Sequence, residues 1–173
     1  MVTKEQLLVI MPLAAKRVDL FLAHINAAMT EFDISTPVRQ AAFLAQIGHE
    51  SAQLRYVKEI ASGSAYEGRK DLGNVMQGDG TRFKGRGLIQ VTGRSNYVSV
   101  MLALDIDCVE HPELLEEPIS ACRVSAWWWK VHGLNELADV GDFRRITRII
   151  NGGYNGFADR SALYITAKKV LGV

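Results

Sequence analysis

Two glutamates nine residues apart, Glu50 and Glu59, are where this sequence concentrates its capacity for proton transfer. Phe43, Ile47, Glu50 and Leu54 are spaced i, i+4, i+7 and i+11, so on a helix they share one face. That face is apolar. A carboxyl set into it is partly withdrawn from water, which disfavours its charged form and suits a group that must hold a proton. The same spacing also fits a glutamate near a helix end that reaches solvent. Glu59 has an ordinary reading too, as the i,i+4 partner of Arg55, worth a few tenths of a kcal/mol.

Joint action of the two carboxyls requires the helix to stop. On a continuous helix Glu59 would lie about 13.5 Å beyond Glu50 and on the opposite side. The chain must therefore end or bend between about Leu54 and Lys58, where Tyr56-Val57 is a weak helical stretch. Carboxyls about 6.5–9.5 Å apart leave room for a water that attacks a glycosidic carbon with inversion. In that arrangement Glu50 is the acid and Glu59 the base.

More specific are the motifs around them. His49-Glu50-Ser51 is followed by Glu59 and then by Gly85-Arg86-Gly87-Leu88-Ile89-Gln90-Val91-Thr92-Gly93-Arg94-Ser95-Asn96-Tyr97. With the later Asn151-Gly152-Gly153 and Asp159-Arg160, this order resembles glycoside hydrolase family 19, which holds plant-type chitinases and many phage endolysins. Tyr66-Glu67-Gly68-Arg69, Leu72-Gly73-Asn74 and Gly78-Asp79-Gly80 are similar to its phage and prophage lysozyme branch. The resemblance implies Glu50 as general acid, Glu59 as general base and Thr92 as a hydroxyl that helps hold the attacking water. It also implies that Gln90, Asn96, Tyr97, Asn151 and Arg160 line the sugar groove, with Tyr97 either cleft-lining or structural. Amides suit that work because each offers donors and acceptors to hydroxyl and acetamido groups. The plant enzymes' paired cysteines and several loop insertions are missing. A shortened cleft of that kind would admit muramic acid with its peptide, so the implied substrate is the glycan strand of bacterial peptidoglycan. Lytic transglycosylase, chitinase and non-catalytic wall-binding phage component remain as alternatives on the same fold.

The elements that must position these residues read as mainly α: a lysozyme-like helical domain with a small irregular β region beside the active-site cleft. Thr3 and Gln6 form a capping box for a first helix ending near Pro12. Ala14 to Phe32 is helical in pattern, with a break possible near His24. Thr36-Pro37 opens a strong helix expected to run through Leu54. Residues 62 to 87 are punctuated by glycine, and Leu88 to Thr92 is the best strand candidate. As a strand it would turn Gln90 and Thr92 to one side. Gly85 and Gly87 suit close backbone approach or unusual dihedrals. Helices resume over Ser95–Leu104, Pro118–His132, Asp142–Ile150 and Phe157–Leu171.

The 173 residues fit one catalytic domain, 1–173, with no separate cell-wall-binding module. Lys and Arg number 20 against 19 acidic residues, which argues against bulk nucleic-acid binding. The basic clusters Arg82-Lys84-Arg86 and Arg144-Arg145-Arg148 are expected as solvated faces. Their sharper reading is attraction to an anionic polymer, for which peptidoglycan stem peptides qualify. Cys108 and Cys122 are expected as buried thiols, since two cysteines make no disulfide framework. His49 is expected as a buried structural histidine, and Trp127-Trp128-Trp129 mainly as core. Four scattered histidines give no metal site, and no cofactor is expected. Leu7 to Ala15 is too short for a spanning helix, which needs about 20 apolar residues, and lacks the form of a secretory signal. The expectation is therefore a monomer made in the host cytoplasm, without stable membrane insertion, that reaches the wall in the periplasm after release through a holin.

Overall fold

A computed structural model describes residues 1–173, and nine α-helices carry most of the chain. Thr3 Oγ1 accepts from Gln6 N while Gln6 returns to the Thr3 backbone, so the expected capping box starts α1, Lys4–Ile10. A 3-10 turn over Pro12–Lys16 separates it from α2, Val18–Glu31. The break thus lies at Arg17, seven residues before His24, because Pro12 ends the first helix and the chain needs one turn to re-enter. Thr36 caps Arg39 N and Pro37 takes the first position of α3, Pro37–Glu50. Its residues Gln40 to Gly48 are all buried, which makes α3 the axis of the molecule.

Later helices enclose that axis. They are α4 (Asp79–Arg82), α5 (Arg94–Leu104), α6 (Pro118–Val131), α7 (Leu134–Asp139), α8 (Phe143–Asn151) and α9 (Phe157–Leu171). α3 packs along α9, and α2 along α6. Phe43 of α3 meets the Trp129 ring edge-on at 5.4 Å, and the Trp129 indole N–H donates to Asn135. Trp129 is therefore core, as expected, while Trp127 and Trp128 are half-buried. The short α7, which the sequence reading did not include, follows a left-handed Gly133. Cys108 and Cys122 are free, buried thiols; burial pushes Cys108 up to about 11 and Cys122 higher still. No helix is long and apolar enough to cross a membrane.

Two expectations near the site need correction. α3 stops at Glu50 rather than Leu54, because Ala52, Gln53 and Leu54 take left-handed φ values of 48°, 58° and 68°. Left-handed helix costs L-residues about 1–2 kcal/mol each, so something must hold the turn. Ser51 Oγ donates to Ile47 O and accepts from Leu54 N at 2.8 Å, and Gln53 Oε1 accepts from Leu13 N at 2.8 Å. Leu54 still reaches the core, through this turn instead of through the helix. The second correction concerns Leu88–Thr92, which is not a strand. Gly87 to Gln90 make a turn, and the β region is reduced to two isolated bridges, Lys58 with Arg86 and Arg86 with Val91. The apolar run is buried against α6: Ile89 N donates to Ser125 Oγ, and a Cβ on Gly87 would stand 2.7 Å from Val124.

Carboxylates hold the glycine-rich segment. Asp79, buried, accepts from Arg94 Nη2 at 2.6 Å and from Val75 and Met76 backbone N–H groups. Glu116 pairs with Arg86 and Lys58. The Arg94 hydrogen bond holds Asp79 below the usual carboxylate range; burial pushes Glu116 up, but Arg86 and Lys58 together bring it below. With both native pKa values depressed, the folded chain binds fewer protons than the unfolded one. Their contribution is fully present above about pH 5, clear of both unfolded values, and is lost as pH falls through the native values. The melting temperature should therefore drop on acidification in that window. Asp79→Asn should melt lower at neutral pH and respond less to acid; parallel curves for the two proteins would refute this.

Candidate active site

The left-handed turn after Glu50 sends the chain away from the α3 axis and into the glycine-rich segment. Tyr56 N donates to Ser51 O, Gly87 N to Val57 O, and Glu59 N to Gly85 O at 2.9 Å. Glu59 is thereby clamped beside Gly85 rather than carried along a helix. Its Oε1 accepts from Tyr66 Oη at 3.0 Å and its Oε2 from Gly85 N at 3.1 Å. Burial, and then the bond to Glu59, hold the Tyr66 phenol above its usual range, so Tyr66 stays a donor at neutral pH. Glu59 also borders an open cleft with Tyr56, Ile60, Lys84 and Glu116.

Glu50 is half-buried and held differently. Arg160 Nη2 donates to Glu50 Oε1 at 2.5 Å, with the guanidinium itself 1% exposed. The same guanidinium donates through Nη1 to Gln46 Oε1 and through Nε to Asn155 O. Gln46 Nε2 donates on to Thr147 Oγ1 of α8 at 2.8 Å. Three helices, α3, α8 and α9, are thus tied together behind one carboxyl. His49, expected to be buried, is partly exposed because Asp159 on α9 pairs with its Nδ1 at 2.6 Å.

Thr92 Oγ1 donates to Gln90 O, Asn96 Nδ2 to Thr92 O at 2.7 Å, and Gln90 Nε2 to Gly87 O. Gln90 is placed by the turn and not by strand parity with Thr92, and it stands beside Gly85 with Glu59. Its Oε1 and Glu59 Oε2 would stand 2.8 and 3.3 Å from a Cβ on Gly85. That Oε1 is buried and accepts from no group of the chain. No group of three or more His, Cys, Asp or Glu is placed to hold a metal ion.

No protein-family model matches the chain. Among curated proteins it is 29% identical to a glycosyl hydrolase family 19 domain-containing protein of Haemophilus influenzae. That alignment runs over 171 residues, 81% of this chain and 84% of the relative. It is 32% identical over 114 residues to an endochitinase of Arabidopsis thaliana, covering 65% of this chain and 38% of that protein. A solved bacterial family 19 chitinase superposes with a TM-score of 0.81 over 99% of this chain and 95% of the other, at 23% identity. Sequence relatives and fold agree.

In sequence and in fold the chain is similar to glycoside hydrolase family 19. It is a glycosidase of the chitinase-like kind, on the family's lysozyme-like helical fold, and it spans well under half the length of the plant endochitinase. Within this fold, two expected groove residues are placed elsewhere. Tyr97 is fully buried, donating to Lys84 O and accepting from Arg86 Nη1, so it packs the core under the glycine-rich segment. Arg160 faces Glu50 and not a groove. Asn151 is half-buried and its Oδ1 accepts from Asn155 N. Tyr66 and Gln46 were not anticipated as site residues. Tyr66 stood in a quoted motif, but seven residues of irregular chain give no geometric link to Glu59.

Gly85 offers a sharp test of this packing. In Gly85→Ala the new methyl stands 2.8 Å from Gln90 Oε1 and 3.3 Å from both Gln90 Cβ and Glu59 Oε2, so two flexible side-chain ends must shift and the Gln90 stem must give by a few tenths of an ångström. Melting temperature should change little while kcat falls roughly tenfold or more, since small misplacements of a catalytic group are costly. A loss of stability with kcat intact would show that Gly85 serves the fold alone.

Proposed function

We propose that this enzyme hydrolyses the β-1,4 bond between N-acetylmuramic acid and N-acetylglucosamine in peptidoglycan, with inversion. The observation that carries the reading is the unequal holding of the two glutamates. Glu59 accepts from Tyr66 and the Gly85 N–H, an arrangement suited to an acceptor-only carboxylate that takes a proton from water. Glu50 rests against one buried guanidinium. When Glu50 gives its proton to the leaving glycosidic oxygen, Arg160 faces the negative charge left behind, without reorganisation. Thr92 Oγ1 spends its hydrogen on Gln90 O and keeps its lone pairs for a hydrogen of the attacking water. Gln90 Oε1 offers an acceptor beside Glu59.

A chitinase is the second reading, favoured by the names of the plant relatives and of the bacterial neighbour. Digests of purified peptidoglycan and of chitooligosaccharides, analysed by mass spectrometry, separate the readings. Muramidase action gives new reducing ends from peptidoglycan at N-acetylmuramic acid. Faster turnover of chitooligosaccharides assigns a chitinase, and 1,6-anhydro ends a lytic transglycosylase. Sedimentation with murein and no cleavage of either substrate leaves a wall-binding component.

A further inference from the structure

We infer that Arg144, Arg145 and Arg148 form a subsite for the stem-peptide carboxylates of peptidoglycan, an inference that rests on the reading above. The three side chains are exposed on α8 and none enters any ion pair of the chain. Elsewhere Arg39, Arg69, Arg82, Arg86, Arg94 and Arg123 each meet a carboxylate. Asp142, the acid nearest in sequence, instead caps α8 by accepting from Arg145 N.

Their arrangement is unfavourable for the isolated helix. Arg144 and Arg148 are four apart and Arg145 and Arg148 three apart, so like charges face one another. Arg144 and Arg145 also lie in the first turn, where the helix dipole favours anions. A bound carboxylate relieves both repulsions. The cluster borders an open cleft of about 530 Å³ with Asp142, Ile149 and Tyr154. Arg144 is held over the Tyr154 ring at 4.3 Å, so one guanidinium is already oriented.

Position ties the cluster to the active site. Tyr154 precedes Asn155, whose carbonyl accepts from Arg160, the residue that holds Glu50. Gly156, left-handed, closes on His49 so tightly that a Cβ would stand 2.3 Å from its ring. The loop carrying Tyr154 is thus latched to the end of α3, and the arginines flank the same loop. With the whole chain near neutrality, this local excess of positive charge suits a substrate's appended carboxylates better than a nucleic-acid backbone.

The test compares wild type with Arg144→Gln/Arg145→Gln/Arg148→Gln and with the corresponding triple lysine variant. Substrates are intact sacculi, the same glycan stripped of stem peptides by an amidase, and chitooligosaccharides. Arg145→Gln/Arg148→Gln keeps the Arg144–Tyr154 contact and controls for loop disturbance. The triple Gln protein should show a KM on intact sacculi raised roughly tenfold, as three solvent-facing pairs allow. The double variant should fall part-way and the lysine variant should recover much of the loss. Rates on stripped glycan and chitooligosaccharides should stay at wild-type level. Added salt should weaken wild type on intact sacculi and leave the triple Gln protein largely unmoved. Co-sedimentation in a Glu50→Gln background reads binding without digestion. Equal losses on intact and stripped glycan, no loss at all, or stronger retention on DNA than on sacculi would each overturn the subsite. Absence of wild-type cleavage of intact sacculi overturns the proposed function instead. In that case salt-sensitive co-sedimentation lost in the triple Gln protein still supports carboxylate binding, and unchanged co-sedimentation refutes it.

Discussion

Glu50→Gln is expected to lower kcat by roughly 10²- to 10⁴-fold, the range a positioned acid contributes. Glutamine keeps an oxygen for Arg160 Nη2 at nearly the same place, so the tie between α3 and α9 survives in outline. What disappears is the transferable proton and the negative charge facing a buried cation. Because Glu50 is partly exposed, that second loss should cost about 1–3 kcal/mol, less than breaking a fully buried pair. The check is kcat measured well below the melting temperature of each protein, with folding verified by circular dichroism. Glu59→Gln should be impaired to a similar degree for another reason. Glu59 accepts from two donors, and an amide has only one oxygen to offer them, so Tyr66 or Gly85 N–H must face an NH₂ group. Activity of Glu50→Gln within tenfold of wild type would remove the acid from the mechanism.

The sequence reading reached the carboxyls and the need for a bend between them, but not how the bend is made. Helical spacing and caps are local signals, so α3, α6, α8 and α9 start within a few residues of where capping residues and periodicity place them. The stop at Glu50 is different. Ala52, Gln53 and Leu54 include no glycine, and nothing in their types announces three successive left-handed residues. That conformation is imposed by Ser51 and Gln53 through bonds to Ile47, Leu54 and the distant Leu13. Leu88–Thr92 misled for a related reason, since an apolar run looks alike as a strand and as a buried turn. Gly87 and the Ser125 hydroxyl on α6 decide between them. Arg160 lies 110 residues from Glu50, and its motif matched the family's groove residues, so its contact with the acid was legible only in three dimensions.

Arg160→Met is expected to produce the largest combined loss of stability and turnover. Methionine fills similar apolar volume but leaves Gln46 Oε1, Glu50 Oε1 and Asn155 O without their donor. Gln46 Oε1 is buried, and an unsatisfied buried acceptor costs about 1–3 kcal/mol; with the partly exposed Glu50 losing its cation as well, the total is about 3–5 kcal/mol. For a chain of this length that corresponds to a fall in melting temperature of roughly 6–20 °C. The kinetic signature discriminates between two roles. A residue that merely lines a sugar groove would, when lost, raise KM and leave the melting temperature and kcat nearly unchanged. A residue that orients Glu50 and meets its developing charge should, when lost, depress kcat more than it raises KM, at temperatures where the variant is still folded. Arg160→Lys keeps a positive charge but not the planar fork that serves three acceptors at once. It should therefore fall between wild type and Arg160→Met in stability and stay well below wild type in kcat. A variant series in which KM alone moves would return Arg160 to the groove and leave Glu50 without its positioning cation.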